Sequence, residues 1–136
     1  MDDWREVEAV WQEGLNFRGQ DRKGDLLVMS GSGSGFSPIE LLLLGLAGCT
    51  GVDVASILQK KRQKLTGIQV KVRGLRRDEV PKVFTQIYVE YVFKGKELDS
   101  KAIEQAIDLS EGKYCSVSVM LGKTAVIHST YTIEPD

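Results

Sequence analysis

Histidine and cysteine are scarce in this 136-residue chain: one histidine, His128, and two cysteines, Cys49 and Cys115. A structural zinc site normally takes four Cys/His ligands, so three in total argue against a metal centre. Two cysteines in a reducing compartment do not form a permanent staple. They are either buried bystanders or a pair whose sulfur chemistry is the function. Net charge is also lacking. Lys and Arg number 18 against 19 Asp and Glu, giving −1, so no global field draws the chain to nucleic acid or an anionic membrane. The longest apolar run, residues 39–49, contains Glu40 and falls short of the ~20 residues that a membrane span requires. Asp2, Asp3, Arg5 and Glu6 crowd the start and speak against a secretory signal, so a cytoplasmic protein is expected. With 42% hydrophobic and 27% charged residues, the composition is globular, and the length suits a single domain over residues 1–136.

Nucleotide-cradling loops are missing too. Ser30 to Gly35 spells Ser-Gly-Ser-Gly-Ser-Gly, but a GxGxxG pattern would need glycine where Phe36 stands. Gly122-Lys123-Thr124 echoes the end of a P-loop, yet the first glycine of that motif would fall on Val117. No cofactor is expected, and the serine–glycine stretch reads as a flexible connector.

What is present is an alternation of strand and helix patterns. Val7, Ala9 and Trp11 alternate with polar residues, a strand signature. Leu15–Arg18 and Asp25–Met29 continue a meander across the polar turn at 20–24. Ser37, Pro38 and Glu40 compose a helix start with N-cap, first-turn proline and capping-box glutamate. The helix is expected to run to about Leu65, where Lys60, Lys61, Arg62 and Lys64 complement the negative end of its dipole. Gly45, Gly48 and Gly51 recur every third residue, which predicts close packing against the backbone. Two long strands follow, the first carrying Ile68, Val70 and Val72, and the second running over 83–93. Arg76–Pro81 is the turn between them. A helix over 99–110 turns Ala102, Ile103, Ala106 and Ile107 inward and is expected to end at Gly112. A short helix over 114–121 and a last strand over 124–133 complete the chain. His128 lies on the mixed face of that strand and reads as a sheet histidine, not a catalytic one.

Cys49 lies within the long helix, in Leu-Ala-Gly-Cys-Thr-Gly, with Asp53 one turn on. A carboxylate there disfavours a thiolate. Cys115 precedes the short helix, whose unpaired N–H groups favour a thiolate. On residue statistics alone, inert buried cysteines are the commoner outcome.

Ser37-Pro38-Ile39-Glu40-Leu41-Leu42-Leu43-Leu44, followed by Ala47-Gly48-Cys49-Thr50, resembles the first cysteine motif of the OsmC/Ohr family. Tyr114-Cys115-Ser116-Val117-Ser118 resembles the second. The version here is most similar to the YhfA-like branch. The resemblance implies an α+β fold of strands, long helix, two strands, helix and strand. It also implies an intertwined homodimer with central helices between two sheets. The implied activity is a thiol peroxidase for organic hydroperoxides, with Cys49 peroxidatic, Cys115 resolving, and a dithiol reductant of lipoyl type. The family's catalytic glutamate position, ten residues before the first cysteine, holds Ile39, with Glu40 next to it. Its thiolate-holding arginine corresponds to Arg18 or Arg22 in an early turn; Arg18 is preferred, anchored by Glu40. The rival expectations are a non-enzymatic redox sensor, a dimer binding a small acyl ligand, or a structural dimer with relict cysteines.

Overall fold

The computed structural model describes residues 4–136; the charged start at Asp2 and Asp3 lies outside them. The chain divides into two compact units, up to Leu42 and from Leu43 to Asp136.

The first unit is a three-stranded antiparallel meander of β1 (Val7–Glu13), β2 (Asn16–Asp21) and β3 (Leu26–Ser30). The expected meander is there, with β2 longer than its sequence suggests: Gln20 and Asp21 belong to the strand. Asp21 then closes the turn. Its carboxylate accepts the backbone N–H of Lys23 and of Asp25, each at 2.9 Å, and the bond from Asp25 leads in holding that carboxyl below the usual range. Arg18 sits within β2, opposite Val10 and Val28, not in a turn. Arg22 does lie in the turn, engaged with Glu6 at 3.7 Å and with the carbonyl of Trp4. The serine–glycine stretch is pinned, not free. Ser30 N–H donates to the Phe36 carbonyl, and Phe36 N–H donates back to Val28. The buried Ser30 hydroxyl donates to Asn16 Oδ1 at 2.5 Å. A Cβ on Gly35 would come within 2.9 Å of the Val28 carbonyl oxygen, so this fold-back tolerates nothing larger than glycine.

α1 (Glu40–Lys60) starts later than its sequence signals suggest and ends earlier. Residues 37–39 form a tight turn, in which the carbonyls of Ser37, Pro38 and Ile39 each accept an N–H three residues on. Half of the capping box is made: Glu40 Oε1 accepts the Ser37 N–H at 3.2 Å. At the other end Arg62 takes φ +59°. Arg62 N–H reaches Gln59, and Gln63 N–H reaches Leu58, a Schellman stop with arginine where glycine is usual. Lys64 and Leu65 therefore belong to the next strand. At 21 residues, α1 is long and apolar enough to cross a membrane by length and composition alone. In the second unit, however, it serves as a core helix: Leu46, Thr50, Val54 and Leu58, four apart, form a fully buried stripe.

That stripe packs with the second sheet, of order β4 (Lys64–Arg76), β5 (Phe84–Lys96), β6 (Val126–Pro135). β4 and β5 are antiparallel, β5 and β6 parallel. Alternation decides the core: Ile87, Val89, Tyr91 and Phe93 on one face of β5 are essentially inaccessible. The parallel return to β6 is made by α2 (Ser100–Leu109), a π-helical turn over Ser110–Tyr114, and α3 (Ser116–Leu121). Asp99 caps α2 by accepting from Lys101 N–H, and Ala102, Ile103, Ala106 and Ile107 are buried as the spacing predicts. Gly112 does not end α2. The helix widens into the π turn, which contains that glycine.

Of the three spaced glycines, only Gly51 meets a close neighbour, Val70 Cγ2 at 3.5 Å from an ideal Cβ; Gly45 and Gly48 would meet nothing within 4 Å. The expected close approach is therefore made within the chain at one of the three. His128 is exposed on β6, stacked on Tyr88 with centroids 4.6 Å apart and bonded to Gln86.

Candidate thiol site

The two cysteines meet although 66 residues separate them in sequence. Cys49 Sγ, Cys115 Sγ and a carboxylate oxygen of Asp53 all lie within 4.8 Å of one another. Cys49 and Asp53 are four apart on α1 and share a face of it. Cys115 arrives from the other side, between the π turn and α3. Both thiols are free. Cys49 is half-buried and open to approach; Cys115 is fully buried.

Local structure aims each group. Cys115 is the N-cap of α3, in an extended conformation, and its Sγ accepts the Ser118 N–H at 3.2 Å. Its own N–H closes the π turn on the Ser110 carbonyl at 2.7 Å. The buried Ser110 hydroxyl donates to Asp53 Oδ2 at 3.0 Å, orienting the carboxylate. Within residues 43–136 the described salt bridges, Lys71–Glu90 and Lys94–Glu134, leave Asp53 without a cation. Glu111, inside the π turn, is a second anchor. Its carboxylate accepts from Tyr91 and, at 2.5 Å, from Ser129, while its carbonyl accepts from Ser118 Oγ at 3.1 Å. Tyr91, buried between Glu111 and Thr50, keeps its proton: burial first, and the Glu111 carboxylate second, push its hydroxyl well above the phenol range.

Local electrostatics alone pointed to Cys115 as the thiolate. Burial decides otherwise, pushing its thiol up to about 11, and the neighbouring Cys49 sulfur adds to the rise. The bond from Ser118 N–H lowers it but is outweighed. Cys115 is therefore a neutral S–H at physiological pH, able to donate to Cys49. Such an asymmetric pair, with one open sulfur and one buried protonated sulfur, can be attacked at the first and closed to a disulfide by the second.

Sequence reasoning named both cysteines and noticed Asp53, but only as an unfavourable neighbour. It missed Ser110, Glu111 and Tyr91, because nothing in the short-range pattern links a π turn to strands β5 and β6. Glu40 is exposed at the start of α1 and bonds Ser37, the capping geometry. Arg18 belongs to the first unit's sheet and is exposed there.

A chain with two such sheets, a long apolar helix carrying one thiol and a return helix presenting another defines an OsmC-type protein. Residues 31–130 match the family model described as OsmC-like protein, and the chain belongs to that family. Protein YhfA of Escherichia coli strain K12 is 40% identical over 130 residues, covering 94% of this chain and 97% of that protein. A hypothetical protein from Aquifex aeolicus has the same fold, with a TM-score of 0.91 at 34% identity and 99% of both chains covered. An organic hydroperoxide resistance protein OsmC from Legionella pneumophila shares the fold at 14% identity, TM-score 0.71, over 96% of this chain and 97% of that one.

Proposed function

We propose that this protein is a thiol peroxidase that reduces organic hydroperoxides, acting as a homodimer in a reducing, cytoplasmic compartment. The observation that carries the reading is the juxtaposed pair: Cys49 accessible, Cys115 buried and protonated, within 4.8 Å. Cys49, as thiolate, attacks the terminal peroxide oxygen; the O–O bond breaks and the alcohol leaves after protonation. Cys49 is left as a sulfenic acid. Cys115 attacks that sulfur, water departs, and a Cys49–Cys115 disulfide remains. An external dithiol, for which a lipoyl-type compound is the family's precedent, returns both thiols by exchange. A disulfide needs an S–S distance of about 2.05 Å, so the two sulfurs, within 4.8 Å of each other, close by less than about 3 Å.

On the family resemblance we assign Arg18 to hold the Cys49 thiolate and Glu40 to anchor that arginine. An arginine is always charged and offers five donors in a fixed fork. We also assign the two units to one OsmC-like domain completed by dimerisation. The redox-sensor alternative is favoured by Ile39 at the family's glutamate position, because a sensor needs the disulfide without fast turnover.

A coupled assay with cumene hydroperoxide and either dihydrolipoamide or dithiothreitol distinguishes them. Continuous alcohol production, abolished by Cys49→Ser, is expected. One disulfide per chain with no further consumption, whichever dithiol is supplied, would move the sensor ahead.

A further inference from the structure

Counting only cysteine and histidine as ligands leaves out Asp53. We infer that Cys49, Asp53 and Cys115 of the reduced protein form a binding site for a thiophilic divalent cation such as Zn2+, with a fourth position open towards solvent. This rests on the geometry of the three side chains and not on the peroxidase reading.

In a tetrahedral zinc site the Zn–S distance is about 2.3 Å and Zn–O about 2.0–2.2 Å, so two thiolate ligands stand roughly 3.8 Å apart. The three donor atoms here already lie within 4.8 Å of one another. Closing by roughly 1 Å or less completes the set, which rotamer adjustment at half-buried Cys49 and Asp53 supplies. The donor chemistry is selective: two sulfurs and one carboxylate suit Zn2+ and its relatives, whereas Mg2+ and Ca2+ want oxygen throughout. The surroundings already hold the ligands as an outer shell would. Ser110 Oγ orients the Asp53 carboxylate, and Ser118 N–H points at Cys115 Sγ. The same carboxylate has no cation against it within residues 43–136, so a bound ion would supply a positive partner that these residues do not. Half-exposed Cys49 gives the entry path and leaves one face of the ion free.

Binding moves no electrons. The cation takes the place of the thiol protons, which go to solvent; a coordinating thiol is deprotonated outright. Oxidation excludes the ion: a hydroperoxide takes two electrons and two protons from the pair of thiols, the O–O bond breaks to give one alcohol and one water (two waters from hydrogen peroxide), the S–S bond forms, and Asp53 is left as the sole ligand. The site thus binds metal only in the reduced state, and a bound ion occupies the sulfur that peroxide would attack.

The test is titration of the full-length reduced protein with Co2+, followed by competition with Zn2+. A thiolate-to-cobalt charge-transfer band and a tetrahedral d–d spectrum are expected, saturating at one ion per chain and bleached by Zn2+. Cys49→Ser and Cys115→Ser should each lose the band. Asp53→Asn should weaken Zn2+ binding by ~10-fold or more. Wild-type protein oxidised with hydrogen peroxide, which needs no variant to fold, should bind neither metal. A wild type with no band, an Asp53→Asn variant with unchanged affinity, or binding that survives oxidation or both cysteine substitutions would each overturn the site.

Discussion

At the scale of single residues the site is an argument about burial against hydrogen bonding. Cys115 receives a helix-start N–H and still has a thiol near 11, because it lies where a thiolate cannot be solvated. Its ordinary value is 9.0, so the folded state holds the proton more tightly than the unfolded chain. The sign follows: stability from this group is fully present below about pH 9 and is lost as pH rises through about 11. Urea unfolding of the wild type should weaken across that window, and Cys115→Ser should weaken less; parallel curves would contradict the assignment. Arg18→Ala, on the role proposed for it, should slow alkylation of Cys49 at neutral pH several-fold while leaving the unfolding midpoint unchanged. The two cysteines were legible from their motifs. Their relative reactivity was not, because it depends on solvent exclusion that only the packed core produces.

Elements follow their sequence where local signals and packing agree. β5 could be placed from its alternation, and α2 from its apolar spacing. The ends of α1 could not. The basic tail 60–64 signals a helix end without fixing its residue, and arginine at 62 adopts the left-handed conformation that glycine usually takes. That conformation costs a residue with a Cβ about 1–2 kcal/mol, partly offset by the greater backbone freedom that glycine has in the unfolded chain. Arg62→Gly should therefore stabilise the protein by ~0.5 kcal/mol in denaturant titration. The π turn was equally hidden, since Gly112 looked like a helix end while the widening is held by Ser110 on Asp53 and by Glu111 on Tyr91 and Ser129. Replacing Glu111 by alanine leaves Tyr91 without its acceptor. A loss of about 1–3 kcal/mol is expected, together with slower closure of the cysteine disulfide, because the turn sets where Cys115 stands.

For the molecule as a whole, the apolar surface left uncovered in the single chain is the feature that asks for a partner. Val52 on α1 is 70% exposed, and Trp11 on β1 is 62% exposed. Gly45 and Gly48 present bare backbone on the same helix, and patches of this kind mark interaction surfaces. Sedimentation should find a dimer at micromolar concentration, and Val52→Lys should shift it towards monomer; a stable folded wild-type monomer would contradict the dimeric reading. The central claim is that Cys49 and Cys115 react as a peroxidatic and resolving pair. Its most direct test is to mix fully reduced protein with one equivalent of cumene hydroperoxide, then quantify the alcohol released and map the cysteines by mass spectrometry. The account predicts one alcohol per Cys49–Cys115 disulfide formed, and in Cys115→Ser one alcohol with a trappable sulfenic acid on Cys49. Unconsumed peroxide with both thiols still open to alkylation would contradict it.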